Sequence, residues 1–412
     1  HKTCAAAIQD LPLYHPFEDH SSMQLSLKFV LGLIAASSVA FAAEPITVKL
    51  ERRKSLFKDG GILDLFGLDD EVKRVNHKYK TAMDNFKRNT GEDHPLLSLL
   101  FDKRGSGETE LMDVSNGLLW TGEVTFGGQK MHLDFDTGSA DTIVNPEAYD
   151  PKKSHSAKKT LDFFHTAYGD GTASLGKIYT DCFSIGHLGG DNVALGRSWS
   201  KVTRSSEHPN KGISGLSFPS LSSFPKKYKS WFFALKDQNK LDSPVFQFTI
   251  KDGEGSSLHV GSVDSSKYHG DVAWANVDPS KGFWATDAKV NGQDITAIID
   301  SGSTVITAPS SQVRRLTNKI DGLVPFRAQG QQMYAFHCHN PPDVTFTLGG
   351  RDFKLTEKGI KYGKTTNGMC VLSIVGVEKS PLNGWIVGDA LFKELSIIFD
   401  AGKNRMGFAK QA

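Results

Sequence analysis

A short motif made of an aspartate, a hydroxyl residue, a glycine and a serine occurs twice in this 412-residue sequence. Its copies are Asp136-Thr137-Gly138-Ser139 and Asp300-Ser301-Gly302-Ser303, and each follows an apolar stretch. If the two copies face each other, their carboxyl groups share one site, where like charges cannot both ionise and one proton is held between them. Such a pair supplies a general base that activates water and a general acid that stabilises an oxyanion. The motif pair therefore predicts hydrolytic chemistry by Asp136 and Asp300.

The other members of the two copies have residue types that hold carboxylates in place. The glycine of each copy lets backbone N–H groups reach the inner carboxylate oxygens, and the serine three residues after each aspartate can donate to an outer oxygen. The hydroxyl residue directly after each aspartate can link one loop to the other. Six residues are therefore expected to support the pair: Thr137, Gly138, Ser139, Ser301, Gly302 and Ser303.

The elements around both copies are short strands with alternating apolar and polar residues. Alternation bounded by Gly, Pro, Asn or Asp predicts strands over residues 122–126, 131–135, 245–250, 344–348 and 395–399. Amphipathic helical spacing is best at residues 225–240 and 309–320. After each copy an apolar run meets a glycine, Gly215 or Gly388, where a neighbouring backbone can approach closely. We therefore predict a mostly β chain built from two related halves.

Composition and charge exclude several classes of protein. The chain has 48 Lys and Arg against 46 Asp and Glu, with 39% hydrophobic residues, which is typical of a globular protein large enough for two cores. This near-neutral balance argues against nucleic acid as a partner, and no apolar run is long enough to cross a membrane. His337 and His339 flank Cys338 but have no second Cys or His pair at ligand spacing, so neither a metal nor another cofactor is expected. Neither Gly-x-Ser-x-Gly nor His-Glu-x-x-His is present.

Three segments precede the part of the chain that carries the motifs. Residues 23–42 begin with a methionine, place one lysine ahead of an apolar stretch and end in Ala-Phe-Ala, which predicts a secretory signal peptide and makes residues 1–22 an upstream extension. Residues 43–104 are charged and end at Lys103-Arg104, before a flexible Gly-Ser-Gly, so we interpret them as a propeptide removed by a processing protease. The alternative explanation of Lys103-Arg104 is a solvent-exposed stretch of charged residues that is not cleaved. The signal peptide predicts secretion and leaves a vacuolar destination open.

Three cysteines remain once the leader is set aside. An odd number in a secreted chain implies one disulfide and one spare thiol. Cys338 and Cys370 flank a predicted hairpin around the Gly349-Gly350 turn, so we expect these two to pair. Cys182 lies in an alternating stretch typical of a buried strand and is expected to be the free thiol.

Taken together, these residues resemble a known family, the pepsin-like aspartic endopeptidases, and most closely the secreted fungal ones. The likeness covers essentially the whole chain after residue 104. Besides the two motifs, it is carried by residues 164–172 (Phe-His-Thr-Ala-Tyr-Gly-Asp-Gly-Thr), 243–246 (Ser-Pro-Val-Phe), 263–268 (Val-Asp-Ser-Ser-Lys-Tyr), 282–284 (Gly-Phe-Trp) and 385–389 (Trp-Ile-Val-Gly-Asp). So many matches in the same order make the resemblance specific.

The resemblance implies a bilobal pepsin-like fold with a cleft between an N-terminal β lobe, residues 105–270, and a C-terminal β lobe, residues 271–412. It assigns Asp136 and Asp300 to the catalytic pair. The implied activity is hydrolysis of peptide bonds in proteins or peptides at acidic pH, with a preference for bulky hydrophobic residues around the scissile bond. We also expect a monomer that is made as a zymogen.

The resemblance further implies residues for substrate binding. Tyr168, Gly169 and Asp170 match a β-hairpin flap that closes over the substrate, although Asp170 is equally explained as a turn residue. Ile143 stands where the family usually has a tryptophan that supports the flap tyrosine, and it cannot donate a hydrogen bond.

The propeptide is expected to act as an intramolecular inhibitor. Residues 77–80 (His-Lys-Tyr-Lys) are similar to the family's Lys-Tyr element, whose ammonium lies between the two aspartates at neutral pH. The sequence does not distinguish Lys78 from Lys80 for this role, and a surface-exposed basic stretch is the alternative. A catalytically silent protein of the same fold is the rival function, with Ile143 as its support.

Overall fold

The computed structural model describes residues 44–52, 57–97, 120–167, 173–202, 210–251 and 255–412. The predicted upstream extension, the signal peptide, the cleavage site at Arg104 and the flap residues Tyr168, Gly169 and Asp170 lie outside the described residues. No helix within the described ranges is long and apolar enough to span a membrane.

Strands dominate the described residues, as the alternating sequence predicts. They are β1 (Ile46–Lys49), β2 (Glu51–Arg52), β3 (Phe57–Lys58), β4 (Ile62–Leu63), β5 (Trp120–Phe126), β6 (Gln129–Asp136), β7 (Thr142–Val144), β8 (Lys158–Ala167), β9 (Ala173–Ile185), β10 (Leu188–Ser198), β11 (Asn210–Gly215), β12 (Val245–Thr249), β13 (Ser257–Val260), β14 (Tyr268–Asn276), β15 (Ala285–Val290), β16 (Gln293–Ile299), β17 (Ile306–Pro309), β18 (Val324–Ala328), β19 (Gln331–Phe336), β20 (Thr345–Leu348), β21 (Arg351–Lys354), β22 (Lys361–Lys364), β23 (Cys370–Leu372), β24 (Ile374–Val377), β25 (Trp385–Val387), β26 (Leu395–Asp400) and β27 (Arg405–Gln411). The α-helices are α1 (Leu65–Thr90), α2 (Trp231–Asp237), α3 (Ser310–Thr317), α4 (Glu357–Ile360) and α5 (Asp389–Phe392).

The strands form three sheets. One contains β2-β5-β6-β11-β7-β10-β9-β8, the second contains β1-β13-β12-β26-β27-β14, and the third runs β21-β20-β15-β16-β25-β17-β24-β19-β23-β22-β4-β3, with β18 on β19. The second sheet takes strands from both predicted lobes, and residue 270 lies within its strand β14. This arrangement confirms the predicted mostly β class.

The segment interpreted as a propeptide adds strands to all three sheets. β1 pairs antiparallel with β13, β2 pairs antiparallel with β5, and β4 pairs with β22. β1 and β2 are edge strands of their sheets, and β4 joins the third sheet together with β3, which forms its edge. The edge of a sheet offers free backbone groups for such pairing. The segment is therefore integrated into the fold through backbone hydrogen bonds.

The individual predictions of strands and helices agree closely with the structure. All five predicted strands correspond to β5, β6, β12, β20 and β26, and the two helical stretches contain α2 and α3. The predicted hairpin is formed by β20 and β21 around Gly349 and Gly350.

Helix α1 is the largest element for which we made no prediction, although its sequence has a clear signal. Buried apolar residues recur every three or four positions along it: Leu68, Val72, Val75, Tyr79, Ala82, Met83 and Phe86. Gly91 ends the helix in a left-handed conformation (φ 87°), and its N–H donates to the Lys87 carbonyl. Its charged residues are divided between two environments: Lys73, Lys80, Asp84, Lys87 and Arg88 are exposed, whereas Asp69 and Glu71 are buried with the apolar residues.

The two glycines predicted to permit close backbone approach are packed in this way. A Cβ at Gly215 would meet the backbone of Ala140 and Asp141, and a Cβ at Gly388 would meet the backbone of Ser303. Each half of the chain thus has one glycine-containing strand end against its motif loop.

The expectation for the cysteines is half right. Cys338 and Cys370 form a disulfide, as predicted. Cys182 is also disulfide-bonded, so its assignment as a free thiol is wrong. The sequence argument failed because an odd count of three left one cysteine over, and counting residues carries no information on which of them meet in space.

Candidate active site

Two equivalent strand ends position the motif residues. Asp136 is the last residue of β6, and Asp300 directly follows β16. β6 pairs in parallel with β11, and β16 pairs in parallel with β25, so both motif loops emerge beside a strand running in the same direction. The duplication read from the sequence is thus reproduced in the local topology.

Reciprocal hydrogen bonds join the two motif loops. The Thr137 N–H donates to the Ser301 Oγ (3.0 Å), and the Ser301 N–H donates to the Thr137 Oγ1 (2.9 Å). The Thr137 hydroxyl donates to the carbonyl of Ile299 (2.8 Å), and the Ser301 hydroxyl donates to that of Phe135 (2.7 Å). Because every donor is buried and paired, the loops are held at a fixed separation.

Each carboxylate is also bound by its own loop. Asp136 accepts from the Gly138 N–H (2.8 Å) and the Ser139 Oγ (2.6 Å). Asp300 accepts the equivalent bonds from the Gly302 N–H (3.0 Å) and the Ser303 Oγ (2.6 Å). The structure thus brings together all eight motif residues in one buried site.

The glycines of the two copies have a second effect that the sequence did not suggest. A Cβ at Gly138 would overlap the carboxyl group of Asp300, and a Cβ at Gly302 would overlap that of Asp136. Each glycine therefore makes space for the aspartate of the opposite loop.

One ammonium group of helix α1 lies between the two aspartates. The Nζ of Lys78 is 3.0 Å from Asp136 Oδ1 and 2.8 Å from Asp300 Oδ2, and only 11% of its side chain is exposed. Lys80, the other candidate, is exposed. Tyr79, the next residue, is fully buried, and its hydroxyl donates to Asp300 Oδ2 (3.1 Å).

The pKa values of the two aspartates shift in opposite directions. Burial raises the pKa of Asp136, against the lowering effect of Lys78 and with a further rise from the charge of Asp300. Burial also acts to raise the pKa of Asp300, but the charge and hydrogen bond of Lys78 prevail and lower it to about 2. The ammonium of Lys78 therefore favours the ionised form of Asp300 more strongly than that of Asp136.

A second ion pair of helix α1, which our sequence reasoning missed, lies beside the aspartates. Arg74 donates to both oxygens of Glu71 (2.8 Å each) and to the Gly302 carbonyl (2.5 Å). Burial acts to lower the pKa of Arg74, because it disfavours the charged guanidinium. The negative charge of Glu71, and to a smaller extent those of the two motif aspartates, outweighs this effect and raises the pKa. The i, i+3 spacing of opposite charges is the signal that predicts such a pair.

Ile143 is buried in an apolar cluster near the site. Its neighbours in this cluster are Phe164, Ile178, Ala194 and Phe224. Ile143 also lines the cavity at the motif residues, so its aliphatic side chain contributes both to this cluster and to the cavity wall.

The side chains that the structure places at the site offer carboxylate, hydroxyl, ammonium and guanidinium groups. Within the described residues, no group of three or more His, Cys, Asp or Glu side chains is arranged to hold a metal ion. His337 and His339 both lie in the connection between β19 and β20.

Comparison with known proteins gives one consistent result. Residues 120–411 match the family model described as eukaryotic aspartyl protease. The chain is 45% identical over 394 residues to secreted aspartyl protease 1 of Malassezia globosa, covering 94% of this chain and 99% of the relative. It is 32% identical over 308 residues to aspergillopepsin-1 of Emericella nidulans, covering 70% and 77%. It is 26% identical over 404 residues to a probable inactive secreted aspartyl protease of Malassezia globosa, covering 94% and 100%.

Proposed function

The chain belongs to the eukaryotic aspartyl protease family, which is a family of peptide-bond hydrolases. From this premise we propose that it is a secreted acid endopeptidase made as an inhibited precursor. Asp136 and Asp300 are the proposed catalytic pair. The observation that carries the proposal is the position of both carboxyl groups within 3.0 Å of one lysine ammonium, on loops joined by reciprocal hydrogen bonds.

The proposed chemistry needs one proton shared by the pair. The ionised carboxylate takes a proton from a water molecule as its oxygen attacks the peptide carbonyl carbon. The protonated carboxyl group donates to the carbonyl oxygen as it gains negative charge. Collapse of the tetrahedral intermediate breaks the C–N bond, and the leaving nitrogen takes a proton from the pair. Ser139 and Ser303 hold the carboxyl groups for both steps.

A shared proton also explains the proposed acidic working range. The charge of one carboxylate raises the pKa of the other, so a singly protonated pair forms in acid. At neutral pH in the precursor, Lys78 stabilises the anions and occupies the place of the substrate.

The proposed preference for bulky apolar residues rests on what helix α1 covers. Its apolar face packs against Ala140, Leu221, Phe283, Ile298 and Ile386, which lie in both predicted lobes. When the helix leaves, these apolar surfaces become available to a substrate.

Removal of the propeptide is proposed to follow acidification and cleavage after Arg104. In this proposal the propeptide occupies the site before processing, and an extended substrate polypeptide binds there afterwards. We propose that the protein acts as a monomer. We also propose that it acts in the extracellular medium, with a vacuole as the alternative, because the 45% identical relative is named a secreted protease.

The experiment that tests this function is hydrolysis of acid-denatured haemoglobin by secreted material between pH 2 and 8, with and without a statine-type transition-state analogue. We expect activity below about pH 5 that the analogue abolishes, because the pair must hold one proton. Processed protein without activity at any pH would refute the proposal.

One rival function has specific support. A 26% identical relative of nearly equal length is named probably inactive, so a silent protein of this fold is the second candidate. It predicts that processed protein binds the analogue and cleaves nothing. The intact motif residues favour the enzyme.

A further inference from the structure

A group of hydrogen-bond acceptors lies on the cleft wall next to the catalytic pair and separate from it. It consists of the backbone carbonyls of Ser220, Leu221 and Ser222 and the carboxylate of Asp141, which lines the same cavity as Asp136 and Leu221. We refer to these four residues as the acceptor group.

Three side chains near the end of helix α1 donate to the three carbonyls. Asn85 Nδ2 donates to Leu221 (3.1 Å), and Arg88 donates to Ser222 (2.7 Å). Asn89 Nδ2 donates to Ser220 (2.9 Å) and to Ser222 (3.0 Å). The propeptide thus fills this wall with two amides and one guanidinium.

The carboxylate of Asp141 adds negative charge to the wall. It accepts from the Ser222 hydroxyl and from the N–H and hydroxyl of Ser223 (2.6 Å each for Ser223). Burial raises the pKa of Asp141, and these bonds and the charge of Arg88 oppose that rise. Arg88 donates to the carbonyl of Ser222, the residue whose hydroxyl is bonded to Asp141, so its guanidinium brings a positive charge to this part of the wall.

Departure of helix α1 leaves the acceptor group without the hydrogen-bond donors that the helix supplies. The two amides and the guanidinium leave with the helix, while the three carbonyls and the carboxylate stay on the enzyme. Without the helix the three carbonyls lack their donors, so a substrate group that can donate to them is favoured over one that cannot. A guanidinium suits it best because its donors are fixed in a planar fork and its charge is complementary.

We infer that the acceptor group is a substrate subsite that selects a cationic side chain, arginine above lysine, with Asp141 as a specificity-determining residue. The inference rests on the proposed peptidase function. It adds one polar preference to a cleft that is otherwise apolar.

Helix geometry limits where along the substrate this preference falls. Lys78 marks the catalytic pair, and Arg88 lies nearly three turns further along α1, about 15 Å away. An extended peptide covers that distance with about four residues. The cationic side chain is thus expected within four positions of the scissile bond.

The test measures kcat/KM of processed enzyme, obtained from the full-length precursor, on a peptide series with one apolar scissile pair. Arginine, citrulline or norleucine is placed in turn at each of four positions on either side. We expect one position at which arginine exceeds citrulline by about tenfold, the size of a charge-assisted hydrogen bond. Citrulline keeps the shape and loses the charge.

The variant Asp141→Asn should reduce this arginine-to-citrulline ratio to near one. The matched control is Asp264→Asn, because Asp264 also accepts from a serine hydroxyl and N–H but in a turn outside the cleft. The control should keep the ratio.

Each outcome decides between defined alternatives. Equal rates for arginine and citrulline at all positions in the wild type would overturn the inference while leaving the peptidase function intact. An unchanged ratio in Asp141→Asn, with both rates and the thermal midpoint lowered, would mean that Asp141 only holds the loop at residues 219–223. Failure of wild-type enzyme to cleave any peptide would instead overturn the proposed function. If Asp141→Asn does not fold, the wild-type citrulline comparison still decides.

Discussion

At the scale of single residues, each aspartate of the pair depends on groups from the opposite loop and from helix α1. Gly138 and Gly302 leave space for the facing carboxyl group, and Lys78 supplies the counter-charge that keeps the pKa of Asp300 low. This interdependence means that one side chain cannot be changed without altering the ionisation of the other.

Replacing either aspartate by asparagine tests the pair directly. We expect Asp136→Asn and Asp300→Asn each to lower kcat for peptide hydrolysis by about a thousandfold or more, because general acid–base catalysis is lost. The fold should persist, since the amide has the shape of the carboxyl group. Haemoglobin hydrolysis and the thermal midpoint measure the two effects, with Asp264→Asn as the control. A variant with near wild-type activity would refute the catalytic pair.

Ile143 allows a prediction about packing. The side chain is 5% exposed and surrounded by apolar neighbours. Restoring the tryptophan of the family, Ile143→Trp, should therefore overpack this core and lower the free energy of unfolding by about 1–3 kcal/mol. Urea unfolding measures the change, and Ile143→Val serves as a comparison without overpacking. A gain in stability would show that the pocket accepts an indole.

At the scale of elements, helix α1 combines three kinds of contact with the rest of the chain. It carries the ammonium to the aspartates, buries an apolar face across the cleft and contacts the acceptor group near its end. The strands β1, β2 and β4 fix the preceding residues to three different sheets. The inhibition that we propose would therefore be a property of the whole segment, spread over backbone pairing, apolar burial and charge.

The apolar contribution of α1 is testable at Phe86. This residue is 6% exposed and packs edge-on against His94 (ring centroids 4.7 Å apart). Phe86→Ala should lower the opening free energy of α1 by about 3–5 kcal/mol. Hydrogen exchange of the α1 amides in the precursor at pH 7 measures this. Lys87→Ala, which removes an exposed ion pair with Asp93, should change it by less than about 1 kcal/mol. Equal effects of both variants would contradict the packing argument.

At the scale of the whole molecule, acidity is expected to weaken the closed precursor. The pKa of Asp300 is lowered from 3.8 to about 2 in the folded state, so its pairing with Lys78 stabilises the precursor fully above pH 3.8. That stability, about 2 kcal/mol, is lost as the pH falls from 3.8 to about 2. The raised pKa of Asp136 acts in the opposite sense, since the cost of its buried charge disappears on protonation.

The Lys78 part of this pH dependence can be isolated by substitution. Hydrogen exchange of α1 in the precursor should become faster below pH 4 in the wild type. In Lys78→Met, α1 should exchange faster already at pH 7, and the loss of protection between pH 3.8 and 2 should be smaller. Lys80→Met, which changes an exposed lysine, is the control. Identical pH profiles for wild type and Lys78→Met would refute the role of this ion pair.

The disulfide between Cys338 and Cys370 is a global constraint. It closes a loop with a sequence separation of 32 residues, which corresponds to about 3–4 kcal/mol of stability. The double variant Cys338→Ser/Cys370→Ser should therefore lower the thermal midpoint by on the order of 10 °C. Thiol titration of the unreduced wild type should detect neither of these cysteines. A thiol at either position would contradict the pairing.

The sequence alone determined the motif pair, the mostly β class, several strands and the family resemblance. These could be predicted because they depend on local patterns: alternation fixes which face of a strand is buried, and an Asp-hydroxyl-Gly-Ser motif at a strand end has a strong local meaning. The apolar spacing along α1 is an equally clear local pattern, but we interpreted this segment by its charged residues and did not predict a helix there.

Tertiary structure decided which of two lysines meets the aspartates. Residues two apart on a helix point about 200° away from each other, so once the Val75-Tyr79-Ala82 face is buried only Lys78 can enter the cleft. It also decided that each motif glycine serves the opposite aspartate, and that Cys182 is bonded. Such facts depend on residues far apart in the chain, whose meeting is set by packing, and no local pattern encodes them.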